Sequence, residues 1–167
     1  MTKLRALSIA LFCCLPLSGI QAEESAHGFV LLIDEDAPGA SAMVAGRFDE
    51  AVDAATSARM HADEVGASTV ACAALIAQRD LDAADEACDR AVELAQRPIT
   101  TVYNPRGHAD REALAMSYSN RAVLRSLRGD ATGAAADIER ALRQNRYEAD
   151  VAHNRQVSAS NIVARSD

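Results

Sequence analysis

Lysine is nearly missing from this 167-residue chain: Lys3 is the only one, and every basic residue after Arg5 is arginine. A phosphate-cradling loop that ends in Gly-Lys-Ser/Thr therefore cannot form, which excludes nucleotide hydrolysis of that type. Aromatic residues make up only 4% of the chain and tryptophan is absent. Alanine is abundant instead, a composition that favours helices packed at close approach over sheets built from β-branched and aromatic faces. Cations are scarce too, with 17 basic residues against 24 acidic ones and a net charge of −7. Nucleic acid and anionic membrane surfaces should repel such a chain, so neither is expected as a partner.

Long apolar runs are also lacking. The one near the start, Ala6 to Leu17, follows Lys3 and Arg5, is interrupted by Pro16 and leads to Ile20-Gln21-Ala22. It is too short for a membrane helix, which needs about 20 apolar residues. The layout is instead that of a secretory signal peptide over 1–22 with cleavage after Ala22, and no stable membrane anchor. Cys13 and Cys14 are preceded by Phe12, where a lipid-modified cysteine would call for a small residue. The exported chain then has 145 residues, one domain's worth, and carries 15 arginines against 24 carboxylates, a net charge of −9.

Metal and nucleophile signatures are missing as well. His27, His61, His108 and His153 lack the short spacings that let two ligands share an ion, so no metal and no cofactor is expected. Ser117 and Ser119 sit in no nucleophile-elbow motif. No catalytic residue is assigned, and the chain is not expected to be an enzyme.

What is present is an internal repeat. Gly129-Asp130 is followed by Ala134, Ile138 and Ala141; Arg79-Asp80 by Leu81, Ala84, Cys88 and Ala91; Gly46-Arg47 by Ala51, Ala55 and Ala58. Alanines seven apart lie on one helix face two turns along and let a neighbouring helix come close. The first two turns are 33 residues apart and the next two 50, which places an insertion at about 97–112, where Pro98, Asn104-Pro105 and Gly107 signal a loop. Asn154-Arg155 repeats Asn120-Arg121 after 34 residues, so a further, incomplete unit is expected, with Gln156, Ser158 and Ser160 suited to a capping helix.

The segment Asn120 to Leu142 resembles a tetratricopeptide unit, two antiparallel helices meeting at a Gly-Asp turn, with Tyr118 as the large aromatic early in the first helix. Leu75 and Arg125 stand where that family usually has tyrosine. The resemblance implies an all-α fold: an α-solenoid of about three antiparallel helical hairpins over 37–167, with an N-terminal arm (23–36) and a C-terminal capping helix. A short leading helix over about Pro38 to Ala45 is expected, with Asp36 as its cap. Before it, Gly28-Phe29-Val30-Leu31-Leu32-Ile33 reads as an extended segment lying against the helices, since no second strand exists to pair with it. Cys72 and Cys88 each stand eight residues from Asp80 at a turn, level with each other across the hairpin. In an exported protein this predicts a disulfide, two buried free thiols being the alternative.

In proteins that this chain resembles, the first helices of successive units line a groove, and an asparagine there hydrogen-bonds the backbone of an extended ligand. The matching positions are Asn120 and Asn154, with Thr69, Ala73, Ser119, Val123 and His153 beside them. The resemblance thus implies an adaptor that holds a protein or extended peptide through this groove, and the signal-peptide layout of 1–22 leads to the expectation that it is periplasmic or secreted. Two other readings stay open: an envelope subunit that self-associates through the ends of the array, and a small exported enzyme using Tyr103, Arg106 and His108 of the insertion as a lid. Whether the N-terminal arm itself occupies the groove is not decided by the sequence.

Overall fold

In a computed structural model the described residues are 28–58, 61–98 and 110–164, with the side chains of 61–63 and 162–164 also outside the description. The signal segment, most of the insertion with Tyr103, Arg106 and His108, and the side chains of His27 and His61 lie outside the described residues. Within them the fold is all-helical: α1 (Ala40–Val44), α2 (Phe48–Thr56), α3 (His61–Gln78), α4 (Leu81–Ala95), α5 (Arg111–Arg128), α6 (Ala131–Leu142) and α7 (Glu148–Ala164). Each packs on its chain neighbour, α3 also packs on α5, and α5 on α7. No described helix is long and apolar enough to cross a membrane.

The three turns share one backbone conformation. Gly46, Arg79 and Gly129 all have positive φ, at 71°, 66° and 85°. The next residue in each donates its N–H five positions back, Arg47 to Ala42 (2.9 Å), Asp80 to Leu75 (3.1 Å) and Asp130 to Arg125 (2.8 Å). These bonds satisfy carbonyls left open at the helix ends. Asp80 and Asp130 then cap the following helix, accepting from Ala83 and Gly133. Only the middle turn uses a residue with a Cβ, exposed Arg79, in the left-handed region. Arg79→Gly is therefore expected to raise stability by about 0.5–1 kcal/mol in urea denaturation, because glycine adopts this conformation without steric cost.

After each turn comes a fully buried small residue, Ala51, Ala84 or Ala134. The first helix, α1, is shorter than its expected span, and its cap is Gly39 rather than Asp36. Gly39 has φ 89°, and a Cβ there would lie 2.5 Å from the Ala51 carbonyl oxygen, so the chain must be glycine where it enters α1. The Asp36 N–H instead bonds the Asp34 carboxylate. In α7, Gln156 and Ser160 are exposed as a capping helix would have them, but Ser158 is buried and its hydroxyl meets that of Ser126 on α5 at 2.6 Å.

Cys72 on α3 and Cys88 on α4 face each other across the second hairpin as a disulfide, with Cα atoms 4.7 Å apart. The bridge closes a sequence separation of 16 residues, a loop for which cross-linking is worth about 3 kcal/mol. The Cys72→Ala/Cys88→Ala variant, or reduction with dithiothreitol, is expected to lower the unfolding free energy by about that amount. Equal denaturation midpoints for oxidised and reduced protein would contradict it.

Candidate functional site: a groove that holds the chain's own N-terminal arm

After Gly28, whose φ is 83°, residues 29–33 form no helix and run as an extended segment across α7 and α5 toward α1. In extended backbone the N–H and C=O of one residue point to the same side, and residues two apart repeat that direction. One side of the arm is gripped accordingly. Asn120 accepts from the Leu32 N–H at 2.8 Å through Oδ1 and donates Nδ2 to the Leu32 carbonyl at 2.7 Å. One repeat later Asn154 does the same to Val30, accepting and donating at 2.8 Å. His153 Nε2 meets the Gly28 carbonyl at 2.7 Å, on the same side. Each asparagine thus offers the donor and acceptor that a neighbouring β-strand would supply.

Side chains fix the arm from both flanks. Phe29 is 1% exposed and belongs to the cluster of Cys72, Cys88, Ile76, Val123 and Leu124, with Leu31 packed against it. Leu32 joins Met116, Tyr118, Ala122 and Val151, with Val30 alongside. Ile33 packs against the α1–α2–α3 cluster around Ala40 and Val70. The odd residues therefore serve the disulfide-bearing hairpin and the first unit, and the even ones the α5–α6–α7 end. Burial on the scale of Phe29 and Leu32 contributes about 1.5–3 kcal/mol per side chain.

Of the seven groove residues read from the sequence, Asn120, Asn154 and His153 hydrogen-bond the arm, and Val123 shares the Phe29 cluster. Three do otherwise. Thr69 is fully buried, donates to the Val65 carbonyl at 3.0 Å and meets Ser117 Oγ of α5 at 3.3 Å. Ser119 accepts from Asn154 Nδ2 at 3.0 Å, which orients that amide toward Val30. Ala73 is fully buried in α3. Thr69 and Ser119 thus hydrogen-bond between alternate helices, α3 to α5 and α5 to α7.

A second polar cluster lies between α4, α5 and α6. Asp137 is completely buried and receives Arg121 through Nε (2.7 Å) and Nη2 (3.0 Å), Arg125 Nη1 (2.7 Å) and Arg140 Nη1 (2.6 Å). Arg121 also reaches Asp89 of α4 at 2.9 Å. Arg121 and Arg140 stand over the Tyr118 ring at 5.7 and 5.9 Å, and the Tyr118 hydroxyl accepts from Gln96. The sequence carried a usable signal for this cluster: Arg121 and Arg125 share one face of α5, and Asp137 and Arg140 one face of α6, across the Gly129 turn.

Comparison of the chain with family models, with curated proteins and with solved structures gives no match.

Proposed function

We propose that this protein is an adaptor of the cell envelope, a helical-repeat solenoid of the tetratricopeptide type that holds another protein in its concave groove, and that it is not an enzyme. The observation that carries this reading is the use of Asn120 and Asn154: one repeat apart, they grip alternate residues of an extended backbone by N–H and C=O. Contacts of that kind read backbone conformation and are indifferent to sequence, while flanking apolar clusters sort the side chains. The arm fills this grip, so a partner engages the groove in company with the arm or in its place. The signal-like segment over 1–22 and the Cys72–Cys88 pair fit an exported protein in an oxidising compartment.

The test is photo-crosslinking in the envelope, with the crosslinker at exposed His153 beside the arm and, as a control, at exposed Arg90 on α4. One recurrent partner trapped from position 153 and absent from position 90 supports the adaptor. Products joining two copies of this chain from both positions would favour the self-associating subunit instead.

A further inference from the structure

The arm is hydrogen-bonded along one edge only. Gly28, Val30 and Leu32 turn their polar groups to His153, Asn154 and Asn120. Leu31 and Ile33, whose backbone groups point to the opposite side, donate to and accept from nothing among the described residues. Both are only half-buried, unlike Phe29. A strand held rigidly on one side with open N–H and C=O groups on the other is a template for another extended chain.

What adjoins this edge selects the visitor. Asp34, Glu35 and Asp36, all exposed, continue directly from Ile33. Asp34 also lines a cavity of about 220 Å3 with Asp110, Glu112, Tyr147, Thr69 and Met116. Arg146, 3.5 Å from Glu112, is the cation paired there. Tyr147 reports the local field: its phenol pKa is raised above the ordinary value by burial and then by the charges of Glu112, Asp34 and Asp110. A second copy of the exported chain would bring its own net negative charge and a second acidic run to the same place.

We infer that the arm is a docking strand: a partner's extended segment, apolar and basic in alternation, adds to the free edge at Leu31 and Ile33 and sets a cationic side chain against Asp34, Asp110 and Glu112. This rests on the adaptor reading and specifies its mode, in which the arm stays in the groove and forms part of the binding surface.

The probe is a fluorescent, end-blocked hexapeptide of alternating valine and arginine, measured by anisotropy against the exported protein. Binding is expected to weaken as salt is raised, to be lost when glutamate replaces arginine, and to fall at least tenfold when the peptide is N-methylated along one edge. Leu31→Pro removes the outward N–H together with the side chain that packs on the Phe29 cluster, in an extended conformation that proline accepts, and should weaken binding at least tenfold. Leu31→Ala, which loses the packing but keeps the N–H, should bind as the parent does, with thermal melts showing both folds intact. If Leu31→Pro binds as well as or better than the parent, the peptide has displaced the arm from Asn120 and Asn154; the docking strand is then wrong and the groove reading stands. If neither hexapeptide binds the parent protein, the docking strand is wrong, and the crosslinks from position 153 alone judge the adaptor. Edge-methylated peptide that binds unchanged would likewise overturn it.

Discussion

Replacing Asn120 and Asn154 together by alanine is expected to lower the unfolding free energy by about 3–6 kcal/mol and to free the arm. The estimate follows from what each side chain leaves behind. Asn120→Ala strands the N–H and C=O of Leu32, a residue only 7% exposed, and a buried polar group without a partner costs about 1–3 kcal/mol. Asn154→Ala also removes the donor to Ser119, but the groups it strands belong to Val30, which is only half-buried and open to water, so its cost is smaller. Asn120→Asp separates geometry from chemistry: it keeps the acceptor for Leu32 N–H but turns a charged oxygen toward the Leu32 carbonyl, and should be at least as damaging as alanine. Amide hydrogen exchange gives the local readout. Val30 and Leu32 should lose protection in the double variant while the helical amides around Val70 and Leu124 keep theirs. If both arm amides stay protected and the cost is below about 1 kcal/mol, packing of Phe29 and Leu32 alone holds the arm.

What the sequence made legible was what repeats. The turns at Gly46, Arg79 and Gly129 could be aligned because a small residue follows each at a fixed offset, and the backbone at all three is indeed the same. Cys72 and Cys88 could be paired because the shared turn put them level. Asn120 and Asn154 stood out by their 34-residue spacing. The remaining groove positions were carried over from the resembling repeats residue by residue, and a match in repeat position does not distinguish a side chain that faces a ligand from one that faces a neighbouring helix. Thr69 and Ser119 went to helix–helix hydrogen bonds, where a small hydroxyl fits between closely packed backbones. The arm's place was out of reach for another reason. Its partners lie 88 and 124 residues away, and six apolar residues carry no periodic signal that names what they pack against. Arg125 was read as a departure from the expected tyrosine, although its spacing from Arg121 already pointed to a shared face; in the structure it is one of the three cations on Asp137.

That cluster carries the other large effect: Asp137→Ala is expected to cost about 3–5 kcal/mol, the usual penalty for removing one partner from a buried ionic group. The carboxylate is the common acceptor for three guanidinium groups, and its loss leaves them converging on one another with only the more exposed Asp89 beside Arg121 and Asp130 beside Arg125 as compensation. The three do not suffer equally. Arg140 is 42% exposed and can swing into water, whereas Arg121 is 13% exposed, lies over Tyr118 and has little room to move. Burial by itself would lower the basicity of Arg121, but its hydrogen bonds and attraction to Asp137, and then to Asp89, more than offset that, so its pKa is raised and it does not escape by losing its proton. Asp137→Asn keeps the shape but faces an amide N–H toward guanidinium donors, so it should recover only part of the loss. The sharpest check is a double-mutant cycle in urea. Arg140→Ala alone should cost less than about 1 kcal/mol, because Arg140 is partly in water and Asp137 keeps Arg121 and Arg125. Adding Arg121→Ala to Asp137→Ala should cost much less than Arg121→Ala in the parent, because the first change has already removed what Arg121 was holding. Additive costs would mean that the arginines are placed by packing on Tyr118 and that Asp137 answers to them rather than they to it.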